Sequence, residues 1–142
     1  MYSIIKSLHS NLALVLLFVL FAAVIYILIG FMGNKEFTAS SKRIALAGLI
    51  AAHLQLVVGL IIYFISPLGI ENFSKASMGN SMSRLYMLEH PLMMLLAIVS
   101  ITIGYSKSKR AATDKQKYKL LSIFYVIGLV FILSRIPWHV WM

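Results

Sequence analysis

Four apolar runs, residues 11–30, 44–66, 84–106 and 120–141, alternate with three polar connections along this chain. Each run reaches the ~20 residues that a bilayer-spanning helix needs. Small and polar side chains recur within them every third or fourth position, which is helical spacing. The first run carries His9, Ala13, Leu16, Leu20, Ala23 and Ile27 on one face, and the second carries Gly48, Ala52, Gln55 and Gly59. The third shows Tyr86, His90, Met93, Ala97, Ser100 and Gly104; the fourth shows Tyr125, Gly128, Ile132, Arg135 and His139. Small residues let neighbouring helices approach closely, so these stripes are predicted to face one another. The fold expected is all-α: a transmembrane four-helix up-down bundle forming one domain over residues 1–142, with both termini external.

Helix breakers refine the boundaries. Pro67 and Gly69 stop the second run. Pro91 directly follows His90, so the third helix either begins at Pro91 or kinks there. Pro137 frees the carbonyl of Leu133 and makes a second local break. Trp138 and Trp141 are expected at the outer interface.

Composition agrees with this pattern. Of 142 residues, 61% are hydrophobic and 12% charged, well above the roughly 45 to 50% apolar share of a soluble domain. No soluble catalytic module fits between the runs, and the first eleven residues lack the features of a removable signal peptide. Cysteine is absent, which excludes disulfides, zinc–thiolate sites, iron–sulfur centres and thiol nucleophiles. The net charge of +9 is concentrated in two connections. Residues 33–43 carry three basic and one acidic side chain, and residues 106–119 carry six basic and one acidic. That bias orients both connections toward the cytoplasm and favours contact with lipid head groups over nucleic acid.

Candidate chemistry lies inside the spans, where ionisable residues are costly and mark sites. Glu89 and His90 sit about a third of the way into the third run, and His9 heads the first. His90 faces either a haem, with the small residues below it admitting a flat ring, or a helix interface with one hydrogen-bonded histidine. His53 lies near mid-membrane, where it bonds a neighbouring serine or tyrosine, contacts quinone, or ligates a second haem. Arg135 needs an anion, which a haem propionate or lipid phosphate supplies. Helix rise permits His9 with His90, or His90 with His139, to share one height. Five of eight methionines, Met78, Met82, Met87, Met93 and Met94, cluster near the same end, so Cu(I) is a further candidate ligand.

The segments LHSNLAL, HLQLVVGL, LEHPLMM and SRIPW, with the basic connection between the last two, resemble a family of short bacterial four-span proteins described as cytochrome b-like. More distantly, the order of histidine-headed helices is similar to half of a haem A synthase, although the glutamate usual before the first ligand there is replaced here by Lys6, Ser7 and Leu8. The resemblance covers nearly the whole chain. It implies a multi-pass protein of the bacterial inner membrane that binds haem b through His9 and His90 as axial ligands near the outer face; His139 and His53 are weaker candidates from their placement in the runs, not from the resemblance. On that reading Arg135 and Arg84 neutralise propionates, and Gly59 and Ala97 admit the macrocycle. Two imidazoles leave no open coordination position, which favours electron transfer over substrate chemistry. Partners would be membrane lipid, a quinone, a larger redox complex or a second copy. The competing expectations are a haem-free accessory or scaffold subunit and a copper-handling membrane protein.

Overall fold

A computed structural model describes residues 1–138. Over those residues it is helical, with four helices long and apolar enough to cross a membrane: α1 (Tyr2–Met32), α2 (Ala39–Ile65), α3 (Ser81–Arg110) and α4 (Asp114–Ser134). Between α2 and α3 lie a single 3₁₀ turn, Ile70–Asn72, and a one-turn helix, Lys75–Met78.

All four helix starts fall earlier than the apolar pattern predicts, α3 by three residues, at Ser81. α1 begins at Tyr2 because no Gly or Pro interrupts the polar residues ahead of the apolar run. His9 is therefore inside the helix rather than above it. α2 begins at Ala39, where Thr38 and Ser41 form a reciprocal capping box that satisfies two otherwise free N–H groups. α4 begins at Asp114, after Thr113 accepts from the N–H of Gln116. Helix ends obey the breakers: α2 stops two residues before Pro67, and α4 stops at Ser134, three before Pro137.

At Pro91 the chain stays helical but changes type: a regular α-helical segment begins at His90, with Pro91 in its first turn. α3 runs through it, with a π-helical turn over Leu85–Glu89 immediately before His90. Proline has no N–H to offer the carbonyl four residues back, which here belongs to Met87. The Tyr63 hydroxyl of α2 donates to that carbonyl at 2.7 Å. The break at Pro137 is answered in the same way, since Trp138 Nε1 donates to the Leu133 carbonyl at 3.0 Å.

Each long helix packs on two others: α1 on α2 and α4, α3 on α4 and α2. α1 and α3 therefore lie diagonally across the bundle. The core between them is narrow. Ala23, Ala45, Ala52 and Ala97 are fully buried beside Leu20, Ile101, Leu121 and Tyr125. Gly128 allows a close approach of α3 and α4: a Cβ there would lie 2.7 Å from Ile101 Cγ1 and 3.1 Å from the Ala97 carbonyl. Buried hydroxyls tie the helices together: Tyr125 donates to the Ala45 carbonyl at 2.6 Å and Ser100 to the Phe124 carbonyl at 2.8 Å. Leu14, Phe18, Ile50, Val57, Leu95 and Val130 point outward, as lipid-facing side chains should.

Candidate functional site

The two basic connections meet at one end of the bundle, where Lys115 at the start of α4 donates to Asn34 Oδ1 after α1 at 2.7 Å. The histidines meet at the other. His9 of α1 and His90 of α3 face each other across the diagonal with ring centroids 6.3 Å apart and planes at 85°. Residues 81 positions apart in sequence are thus brought to one height.

Each ring is held differently. His90 Nδ1 lies 2.8 Å from the carbonyl oxygen of Arg135. A carbonyl can only accept, so Nδ1 carries the proton and Nε2 is left with its lone pair. A carbonyl that accepts from one ring nitrogen holds the other in place, as is usual for a metal-binding histidine. His9 is fixed through its backbone, because Gln55 Nε2 donates to its carbonyl at 2.9 Å. Its own Nδ1 is buried without a hydrogen-bond partner, as is Gln55 Oε1. Gly59, one turn along α2 from Gln55, lies against this ring: a Cβ there would be 3.2 Å from His9 Cε1.

Charged groups gather beside His90. Glu89 Oε2 accepts from Arg84 Nε at 2.7 Å, and Glu89 Oε1 lies 3.8 Å from Arg135 Nε. Glu89 holds the only ion pairs among the described residues. Arg84 also donates to the Met78 carbonyl, and Arg135 to the Ser134 carbonyl. All three side chains are part-exposed, so the pair with one carboxylate leaves a net positive cluster at the edge of the site.

Other expected site residues fall elsewhere. Ala97 lies two turns along α3 from His90, fully buried, in the contact with Gly128 of α4. His53 is on the outer surface of α2, where its Nδ1 donates to the Leu49 carbonyl of its own helix at 2.9 Å. That bond takes the place of the expected one to a serine or tyrosine of a neighbouring helix. Of the clustered methionines, Met87 is fully buried, whereas Met78 and Met82 are exposed. His139 lies outside the described residues.

Sequence reasoning did not find Tyr63 and did not choose a role for Glu89. For Tyr63 a signal existed, since Pro91 specifies which carbonyl must seek a donor. For Glu89 the signal was partial: Arg84 lies five residues before it in α3, but Arg135, just past the end of α4, is brought to it only by packing.

Chemically, two imidazoles cannot hold a bare ion of the usual four-coordinate kind. No group of three or more His, Cys, Asp or Glu side chains gathers among the described residues. They do suit a metal that brings other ligands with it. A metal–imidazole bond is about 2 Å and a ring nitrogen lies about 1.1 Å from its centroid, so rings sharing one metal have centroids about 6 Å apart. The observed separation is in that range.

The chain matches no family model, no curated protein and no solved structure.

Proposed function

We propose that this protein binds a b-type haem between His9 and His90 and carries single electrons within the membrane. The observation that supports this most directly is the facing pair of rings, 6.3 Å apart between centroids. His9 and His90 would hold the iron of a haem, which would bring with it the further ligands that a bare ion between two imidazoles would lack. Haem held by two histidines supplies a one-electron Fe(III)/Fe(II) couple with no position open to substrate.

The remaining residues act on binding and orientation. The Arg135 carbonyl fixes the ring of His90, and Gln55 fixes the backbone of His9. Gly59 leaves the space beside His9 free of side chain. Arg84 and Arg135, which share Glu89, offer guanidinium donors to propionates. Ala97 keeps α3 close to α4 below the site.

The same reading gives an up-down bundle with both termini external. Its support is the meeting of the two basic connections at one end, which the positive-inside rule assigns to the cytoplasm. The histidines then lie in the outer half of a bacterial inner membrane. Electron exchange would be with a quinol or with another haem protein of a larger complex.

The test is a visible spectrum of protein purified from cells supplied with haem precursor. A Soret band with sharp peaks on reduction is expected. A colourless, folded protein would end the proposal, and stoichiometric copper in its place would move the site to methionine.

A further inference from the structure

The six cations of residues 106–119, at the end opposite the histidines, divide into two groups. Lys115 donates to Asn34 and to the Phe31 carbonyl and lies over the Phe31 ring; Lys117 lies over Phe37, and Lys109 over Tyr105. These three are engaged by the protein. Lys107, Arg110 and Lys119 instead line a groove of about 450 Å³ between the last turn of α3 and the first turns of α4.

Among the described residues no carboxylate pairs with these three cations, since the ion pairs there all involve Glu89 at the other end. Arg110 spends one donor on Ser106 Oγ at 3.1 Å and keeps the rest. Three cations converging on one space repel each other, and an anion with several oxygens relieves that repulsion. The surroundings distinguish its source. The groove lies where two spans end, at the level of phospholipid head groups. Ile103 sits one turn before Lys107 on α3, and Ile123 and Ile127 sit one and two turns after Lys119 on α4, so they share faces with those cations. All three isoleucines are exposed. A soluble anion has no use for that apolar track, whereas acyl chains do.

We propose that this groove binds the head group of an anionic phospholipid, its phosphodiester oxygens on Lys107, Arg110 and Lys119 and its acyl chains along Ile103, Ile123 and Ile127. Basic pockets between spanning helices on the cytoplasmic side are suited to such lipids. The proposal is independent of the haem.

The test is native mass spectrometry of the detergent-solubilised protein titrated with cardiolipin, phosphatidylglycerol or phosphatidylcholine. The two anionic lipids should be retained and phosphatidylcholine should not. Combining Lys107→Gln, Arg110→Gln and Lys119→Gln should lower retention at least tenfold. Removing equal charge through Lys35→Gln, Lys42→Gln and Arg43→Gln should change it less than twofold. The charge-keeping set Lys107→Arg, Arg110→Lys and Lys119→Arg should restore retention, which separates loss of binding from loss of fold. Equal losses in the two glutamine sets would overturn the proposal in favour of diffuse charge. Displacement of the lipid by millimolar inorganic phosphate would overturn it in favour of a soluble anion.

Discussion

The imidazole of His90 donates from Nδ1 to the backbone carbonyl of Arg135, 45 residues later, at 2.8 Å. That carbonyl is available because α4 ends at Ser134, ahead of Pro137. A helix stop in one element therefore sets the tautomer and direction of a ring in another, and Nε2 of His90 is left as the nitrogen able to bind metal.

If that nitrogen and the ring of His9 share an iron, His9→Ala and His90→Ala should each remove the Soret band while helicity by circular dichroism stays unchanged. His53→Ala should leave haem content as it was, because that ring lies on the outer surface and bonds its own helix. Pyridine haemochrome assay reads all three. Colour lost on His53→Ala and kept on His9→Ala would place the ligands elsewhere.

Gly59 offers a graded probe of the same space. A Cβ 3.2 Å from His9 Cε1 is tight by a few tenths of an ångström, so Gly59→Ala should fold and shift the reduced spectrum or potential modestly. Gly59→Leu places a branched chain where the ring stands, and haem content should fall by more than half. Thermal unfolding of the haem-free form should move little for Gly59→Ala. A haem content equal to the parent in Gly59→Leu would show that α2 does not border the cofactor.

Packing away from the site is more rigid. At Gly128 the neighbours of an added methyl include the Ala97 backbone carbonyl at 3.1 Å as well as Ile101. Backbone cannot rotate aside as a side chain can, so α3 and α4 must separate. Gly128→Ala should destabilise the bundle by about 1–3 kcal/mol, the usual cost of overpacking, read as a lower midpoint on titration with denaturing detergent. Haem content at saturating supply should be unchanged.

Much of this arrangement is written in local pattern. The stripes through Ala23, Ala52, Ala97 and Gly128 are buried as helical spacing requires, because a narrow core between four helices admits only small residues at the crossings. Helix starts were less legible: Thr38 and Thr113 cap within polar connections whose hydropathy gives no sign of a helix. Helix rise permits a shared height for His9 and His90 without requiring it, since height depends on where each helix begins and ends. The π-helical turn at Leu85–Glu89 adds to the difficulty. It inserts an extra residue per turn, so Met87 is buried where a regular count selects Tyr86. Arg84 reaches Glu89 from five residues away on the same helix, whereas the approach of Arg135 depends on how α3 and α4 pack.

Tyr63 and Pro91 provide the most discriminating test of how the π-turn above His90 is held. Pro91 lacks the N–H that would serve the Met87 carbonyl, and the Tyr63 hydroxyl donates to it at 2.7 Å. Tyr63→Phe leaves that carbonyl buried without its donor, which should cost about 1–3 kcal/mol. Pro91→Ala restores the missing N–H, so in that background the hydroxyl becomes redundant. Tyr63→Phe added to Pro91→Ala should then cost less than about 0.5 kcal/mol, giving a coupling of 1 kcal/mol or more in a double-mutant cycle. The readout is the denaturing-detergent midpoint of all four proteins. Additive costs would mean that Tyr63 stabilises α2 against α3 by packing alone, and that Pro91 shapes the turn without help from its neighbour.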